Sequence, residues 1–355
     1  MRILIDDGMA SHGRASGIGH YAVNLASHLA ELADCTIAGY RTLRYVPRYL
    51  RKWAYIGTTN IAKFYDQYDL VHHLVNYVPF RKGRPTHVLT VHDLSVLLYP
   101  RTIPFAWRHY NSVSFSRSVH RADALIAVSR TIHDEILDTF PNLDEKRVYF
   151  CYPGIRRSIL DSVLDERELD GLAVKPFSYF LFIGDLTKRK NLGFAVRTFL
   201  EAKRRKCIQE VTEFVIVGKR SLGFSEIKLL SALDPSIRVL GYLTDRQIAS
   251  LYRFSKAFVY PSIYEGFGSP LVEAMSQRIP IIISNIPTSQ ELNNAHNNQM
   301  FSFNLGDQNG LLKVFGELDS SFQLIRDQLN YGDLSAYDYR NVAANHLRIY
   351  STVLS

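Results

Sequence analysis

Two carboxylates eight residues apart, Glu265 and Glu273, carry the clearest chemical signal in this chain of 355 residues. They lie in YPSIYEGFGSPLVEAMSQRIPIIISN, from Tyr260 to Asn285. The stretch reads as the end of a buried strand (Ala257 to Tyr260), a glycine turn, a short helix and a second strand. Ser269 stands at the expected helix N-cap and Pro270 at the first helical position. With Gly266 and Gly268 leaving the backbone bare, this helix start is suited to an anion such as a diphosphate. Taken alone, the two carboxylates are equally open to general acid–base work.

A second cluster supplies cations. In FIGDLTKRKNLGFAVRTF a strand, Tyr179–Ile183, ends at Gly184, and the loop delivers Arg189 and Lys190 just before a helix. Arginine forks onto phosphate oxygens and lysine adds a compact charge; a plain basic surface turn is the alternative. A third candidate is His92, which with Asp93 closes the strand His87–Val91 at its carboxyl end, where open α/β sheets place ligands. A structural histidine is the competing reading there. Gly17 and Gly19 formally complete a G-x-G-x-x-A fingerprint, but about ten residues separate them from the strand Arg2–Asp6. The next strand, Thr36–Gly39, runs into Tyr40-Arg41 without the ribose-binding acid of a dinucleotide site. The two glycines still suit close backbone approach to a phosphate or sugar at a helix start.

The elements that must position these groups alternate strand and helix throughout, so the fold class is α/β with doubly wound parallel sheets. Further strands are expected at Leu70–His72, Ala124–Val128, Val148–Tyr152, Phe214–Val217, Arg238–Leu240 and Ile281–Ser284. Helices are expected from Gly17, over Phe105–His120, and after Ser129 as N-cap. A polar passage, Asp161–Gly171, separates two series of similar size, giving domains 1–160 and 161–334 and a final amphipathic helix over 335–355. Two ordinary domains are also what this length favours.

Composition narrows the class. The longest apolar runs, such as Ile279–Ile283, are too short to span a bilayer, and with Met1-Arg2 leading straight into a strand no signal peptide is expected. Cys35, Cys151 and Cys207 are scattered and odd in number, so neither a disulfide framework nor a zinc site is expected, and the expected location is cytoplasmic. Charge is uneven: between Cys35 and Arg130 there are 14 Lys/Arg against 4 Asp and no Glu. The densest part, GYRTLRYVPRYLRKWAYIG (39–57), interleaves Arg41, Arg44, Arg48, Arg51 and Lys52 with aromatic rings. Three readings fit it: a solvated face with snorkelling side chains, contact with anionic lipid or a lipid-linked substrate, or single-stranded nucleic acid. No nucleic-acid motif accompanies the charge, so nucleic acid is not the expected partner.

Together these residues resemble glycosyltransferase family 4, retaining enzymes of the GT-B fold. The resemblance rests on the 265–273 pair, the Gly184…Arg189-Lys190-Asn191 turn, the Gly17-Ile18-Gly19 loop and Val91-His92-Asp93. Ala122-Asp123…Val128-Ser129, Tyr152-Pro153-Gly154 and Gly241-Tyr242-Leu243 add to it, and it covers nearly the whole chain. The nearest flavour is that of bacterial mannosyltransferase-like members that build O-antigen and other surface polysaccharides. It implies two Rossmann-like domains facing across a cleft, the first binding the acceptor and the second the nucleotide sugar, with the last helix crossing back to the first.

The resemblance also implies roles. Glu265 would hold hydroxyls of the donor sugar with the Gly266, Phe267 and Gly268 backbone, and Glu273 the ribose hydroxyls. Arg189 and Lys190 would take the diphosphate, and Gly17 and Gly19 would approach the donor. Gly184, Tyr242 and Leu243 would border the base, and His92 would line the reaction centre. The basic residues 41–52 would face the acceptor or a membrane. The expected donor is GDP-mannose and the expected acceptor a glycan or lipid-linked oligosaccharide. No metal is expected, since no D-x-D motif is present; Asp6-Asp7 comes nearest. Two departures are Asp185, where many members carry arginine, and Gln277-Arg278 in place of Cys-Gly, which would strain Arg278 if φ is positive. Alternatives are a GT-B epimerase or phosphorylase, an NAD-dependent oxidoreductase, and a non-catalytic binding protein.

Overall fold

The computed structural model describes residues 1–6, 17–38, 64–79, 83–100, 105–160, 165–218, 224–241 and 243–355. The basic stretch 39–57 and Tyr242 lie outside the described residues. The chain forms two compact units, Met1–Ile155 with Ser335–Ser355, and Arg156–Leu334.

Unit one holds a six-stranded parallel sheet in the order β2-β1-β3-β4-β5-β6. Its strands are β1 (Arg2–Asp6), β2 (Asp34–Ile37), β3 (Leu70–His73), β4 (Thr86–Val91), β5 (Ala124–Ala127) and β6 (Val148–Phe150). Helix α1 (Gly17–Leu32) opens at the first predicted glycine, α2 spans Phe105–Arg121 and α3 spans Arg130–Thr139. The Ser129 side chain accepts the Ile132 amide at 3.1 Å, the cap expected from sequence. Alternation along the strands splits the sheet into two faces. Ile3, Ile5, Leu70, Val88 and Ile126 pack beneath α1, while Leu4 and Val71 join Tyr65 on the other side.

Unit two repeats the plan in the order β12-β11-β10-β7-β8-β9. Its strands are β7 (Tyr179–Ile183), β8 (Glu213–Val217), β9 (Ile237–Leu240), β10 (Ala257–Tyr260), β11 (Ile281–Ser284) and β12 (Phe301–Phe303). The crossovers are α4 (Leu192–Arg204), α5 (Phe224–Leu233), α6 (Asp245–Arg253), α7 (Ser269–Ser276) and α8 (Pro287–Ala295), followed by α9 (Gln308–Gln328). Phe180, Phe199, Phe214 and Phe315 interlock in its core. From β7 the chain first builds outward through β8 and β9, then returns to place β10 on the opposite side of β7. That reversal is the kind of point where doubly wound sheets bind ligands at the strand ends. The last helix, α10 (Tyr339–Leu354), belongs to unit one, where Tyr339, Val342, Ala343 and Tyr350 join the cluster around α1.

Four readings from sequence are corrected. The unit boundary falls at Ile155/Arg156 rather than at 160, because Arg156 is ion-paired to Asp245 and Glu273 while the Ile155 amide bonds Tyr337 O at 3.0 Å. β2 starts at Asp34 rather than Thr36: its register on β1 pairs Asp34 with Arg2 and Cys35 with Ile3. β12 was not anticipated; it is a three-residue edge strand with only Phe303 buried. Ser269 is the first residue of α7 and not its cap. Gly268 takes the N-cap position at φ 112°, a conformation glycine adopts without penalty, so Pro270 falls on the second helical position.

Candidate active site

The loops at the carboxyl ends of β7 and β10 bring Arg189, Lys190 and Glu265 together. Glu265 is only 6% exposed, and each of its oxygens meets a cation: Arg189 Nη1 donates to Oε2 at 2.7 Å and Lys190 Nζ to Oε1 at 2.6 Å. Lys190 is itself buried, with Nζ 4.9 Å from the centre of the Tyr260 ring and 3.4 Å from its hydroxyl. Burial alone would push the Glu265 carboxyl up; Lys190 and Arg189 beside it more than offset that and hold it at about 2. The trio is thus one carboxylate and two cations, a net positive site in a desolvated setting.

Neighbouring backbone locks this trio in place. Arg189 also donates to the Tyr264 carbonyl, and its own carbonyl accepts the Ile263 amide at 2.9 Å. Ser284 Oγ donates to the Ser262 carbonyl, and Thr288 Oγ1 to the Glu265 carbonyl at 2.6 Å. Asn191, left-handed at φ 52°, ends the cationic turn and lets α4 begin. Gly184 and Gly218 pass so closely that a Cβ on Gly218 would fall 1.8 Å from the Gly184 carbonyl oxygen, so bare backbone lines this strand end. Gly266, Phe267 and Gly268 follow Glu265 directly, and their turn points the start of α7 toward the same end of the sheet.

Glu273 lies one helical stretch on, 5% exposed, with a different partner. Arg156 clasps it through Nε at 2.9 Å and Nη2 at 3.3 Å, and the Tyr252 hydroxyl donates to Oε2 at 3.2 Å. Arg156 Nη1 also donates to Asp245 Oδ1 at 2.7 Å. Arg156 was missed in the sequence, where it is one of two adjacent arginines after the Pro153-Gly154 break and nothing local distinguishes it from Arg157. Leu243 is buried in unit two, and a side chain on Gly241 would meet nothing within 4 Å.

In unit one, His92 is half-buried at the end of β4. Its Nε2 lies 2.8 Å from the Leu74 carbonyl and the Tyr21 ring meets it edge-on, centroids 5.6 Å apart. A carbonyl only accepts, so Nε2 carries the proton and Nδ1 presents a lone pair. Burial lowers the His92 pKa, with the Leu74 carbonyl and Asp93 opposing, so the ring is neutral near pH 7. Gly19 is buried in the first turn of α1. Asp6, the nearest approach to a metal-binding acid, is fully buried and tied to Tyr65 and to His73 Nδ1 at 3.1 Å.

Comparison with known proteins fits this picture. Residues 15–158 match the model for Glycosyltransferase Family 4, and residues 170–314 match that for Glycosyl transferases group 1. The O-antigen chain mannosyltransferase B of Escherichia coli is 30% identical over 240 residues, covering 64% of this chain and 60% of that protein. The O-antigen chain mannosyltransferase RfbU of Salmonella typhimurium is 28% identical over 207 residues, 58% of this chain and 53% of that protein. The chain therefore matches little more than half the length of these relatives. Anabaena HepE in complex with UDP-glucose superposes with a TM-score of 0.72 at 16% identity, covering 99% of this chain and 100% of HepE. WaaG, a glycosyltransferase involved in lipopolysaccharide biosynthesis, gives 0.67 at 13% identity, covering 96% and 95%. With one family domain in each half and GT-B enzymes as structural neighbours, the chain belongs to the family 4 and group 1 glycosyltransferases.

Proposed function

We propose that the protein is a retaining, metal-independent hexosyltransferase that moves mannose from GDP-mannose to a glycan or lipid-linked oligosaccharide in surface-polysaccharide synthesis. The observation that carries this reading is the convergence of Arg189 and Lys190 on Glu265 at the strand-order reversal of unit two. Two cations beside a helix start match a diphosphate leaving group, whose developing charge they stabilise without Mg²⁺. As the phosphates draw on these cations, Glu265 turns its acceptor capacity to hydroxyls of the transferred sugar. Glu273 has about four lone-pair positions, three of them engaged by Arg156 and Tyr252, leaving room for a ribose hydroxyl. His92 contributes a neutral lone pair at Nδ1, suited to accept from a sugar hydroxyl.

The names of the mannosyltransferase relatives favour mannose and the O-antigen setting. The UDP-glucose bound by HepE favours a second reading, a UDP-hexose donor. Among the described residues no helix is long and apolar enough to cross a membrane. The proposed contact with anionic lipid is peripheral, through Arg41, Arg44, Arg48, Arg51 and Lys52. The direct test supplies labelled GDP-mannose or UDP-glucose with a glycolipid acceptor fraction, with and without EDTA, and reads the product by proton NMR. The expected result is mannosyl transfer that survives EDTA with the donor's anomeric configuration kept. Loss of turnover in EDTA restored by Mg²⁺, an inverted anomer, or transfer from UDP-glucose alone would each overturn the corresponding part.

A further inference from the structure

Unit two begins with a half-buried guanidinium, Arg156, whose two edges are both committed. The Nε–Nη2 edge lies along the Glu273 carboxylate, 2.9 Å from Oε1 and 3.3 Å from Oε2, and Nη1 reaches Asp245 Oδ1 at 2.7 Å. Burial opposes the charge on this side chain; Glu273 and Asp245 more than offset it and raise the pKa, so Arg156 is a fixed cation. Its backbone is fastened as well. In the short helix Arg157–Leu160, Ser158 Oγ donates to Asp245 Oδ2 and the Ile159 carbonyl accepts Gln277 Nε2 at 3.3 Å. The segment is thus held from α6 and α7 at once, and a two-point fork fixes the plane of the carboxylate as well as its distance.

This contact gives Glu273 a set orientation and a defined remainder. An ionised carboxylate offers about two acceptor positions on each oxygen. Oε2 takes Arg156 Nη2 and the Tyr252 hydroxyl at 3.2 Å. Burial first, and the Glu273 charge second, raise the Tyr252 pKa well above its ordinary value, so this hydroxyl donates. Among the described residues, Oε1 takes only Arg156 Nε, and one position on it stays open. The pair is not sealed: 6% of the Glu273 side chain and 20% of that of Arg156 are exposed. One cation here faces two carboxylates, the reverse of the balance at Arg189, Lys190 and Glu265. A surplus of negative charge favours a hydroxyl donor and repels phosphate, so the two clusters suit opposite ends of one nucleotide.

We infer that Arg156 is a positioning residue for the donor nucleotide, whose fork sets Glu273 to accept a single ribose hydroxyl at Oε1. The donor class that follows is a ribonucleoside diphosphate, preferred over the analogue lacking that hydroxyl. The inference rests on the nucleotide-sugar reading of unit two. To that reading it adds a selectivity for the ribose ring and the residue that sets it, acting through Glu273.

Calorimetric titration of the full chain with GDP, 2′-deoxy-GDP and 3′-deoxy-GDP tests this, and the same series is run with uridine nucleotides. The proteins are the parental chain, Arg156→Lys, Arg156→Gln and Glu273→Gln. Lysine keeps the charge but cannot fork, so the fold of Arg156→Lys is expected to hold; unliganded melting checks each variant. In the parental chain one deoxynucleotide is expected to bind about tenfold more weakly than the ribonucleotide, and the other within about threefold. In the three variants that preference falls to about threefold or less, while affinity for the weaker deoxynucleotide is unchanged. A structural role would instead lower all three affinities together. Such a uniform loss, or the full preference kept in Arg156→Lys or Glu273→Gln, overturns the inference. Equal weakening by both deoxy changes overturns the single-hydroxyl assignment. Equal binding of all three by the parental chain overturns the inference and leaves nucleotide binding in place, whereas no binding in either series overturns both. An Arg156-dependent preference in a protein that transfers no sugar would uphold the inference and sink the transferase reading.

Discussion

Glu265 and Glu273 are both buried carboxylates eight residues apart, yet their partners divide them. Glu265 is bridged by Arg189 and Lys190, and Glu273 by Arg156 and Tyr252. A carboxyl held at about 2 is a poor proton donor near neutral pH, so the proposed role of Glu265 is that of an acceptor and an electrostatic group and not of a general acid. Replacing it with glutamine keeps the shape and removes the charge. Glu265→Gln is expected to lower kcat about 10²- to 10³-fold, by analogy with the loss of one polar stabiliser. Affinity for a nucleoside diphosphate should hold or tighten, since both cations are released toward phosphate. Steady-state rates and calorimetric titration read the two effects separately; a parental kcat would remove Glu265 from the chemistry. Arg278 carries the φ of 51° that its place in the helix-ending turn demands, a strain of about 1–2 kcal/mol that a glycine would not bear.

Among the elements, those buried on both faces were the most legible. β7, β10 and β11 are continuous apolar runs, and their bounds are as read from sequence. The edge strands were not: β2 alternates weakly and is largely exposed, and β12 has only three residues. The same logic separates the site residues. Arg189, Lys190 and His92 announce themselves by lying where a strand hands over to a loop. Arg156 does not, because its partner Glu273 is 117 residues away and no local pattern encodes such a pair. Lys256 and Asp319 are a second hidden pair, each 3% exposed and 2.5 Å apart, tying β10 to α9. Asp319 also accepts from Thr212 Oγ1 at 2.6 Å and the Gln209 amide at 2.8 Å. Asp319→Ala leaves a buried lysine and two donors unmet and is expected to cost about 3–5 kcal/mol. Urea unfolding followed by tryptophan-independent far-UV circular dichroism measures it; a loss under about 1 kcal/mol would mean the pair is hydrated.

At the scale of the molecule, unit one is closed by its own C-terminal helix. His346 of α10 lies fully buried, its Nδ1 2.8 Å from Val342 O and its Nε2 3.0 Å from the Tyr21 hydroxyl, with Cys151 Sγ 3.5 Å away. On the same face His72 Nδ1 meets the Tyr350 hydroxyl at 2.6 Å and its Nε2 Thr90 Oγ1 at 2.7 Å. Burial lowers His346 to about 4 and His72 well below its ordinary value. Both rings are neutral when folded, while the unfolded chain takes up protons below about 6.5. Stability is therefore full above that pH and declines as pH falls toward 4, by roughly 3 kcal/mol for His346 alone. Urea midpoints at pH 7.5 and 5.0 should differ in that direction, and His346→Gln should reduce the difference; a flat profile would show the rings are charged in the fold. The two-unit α/β plan was readable from the alternation of elements, whereas this histidine–tyrosine layer was not, since Tyr21 and His346 are 325 residues apart.

The central claim is that Arg189 and Lys190 form a diphosphate site, and its most direct measurement is a melting-temperature panel in EDTA. GDP, UDP, dTDP, ADP and GMP are each added to the parental chain and to Lys190→Ala. A ligand at about 100 times its Kd stabilises by about 2.7 kcal/mol, a readable shift. The predicted result is that GDP gives the largest rise, GMP far less, and that Lys190→Ala loses most of the GDP effect. Equal shifts from GDP and GMP, an undiminished GDP shift in Lys190→Ala, or no shift with any diphosphate would contradict it.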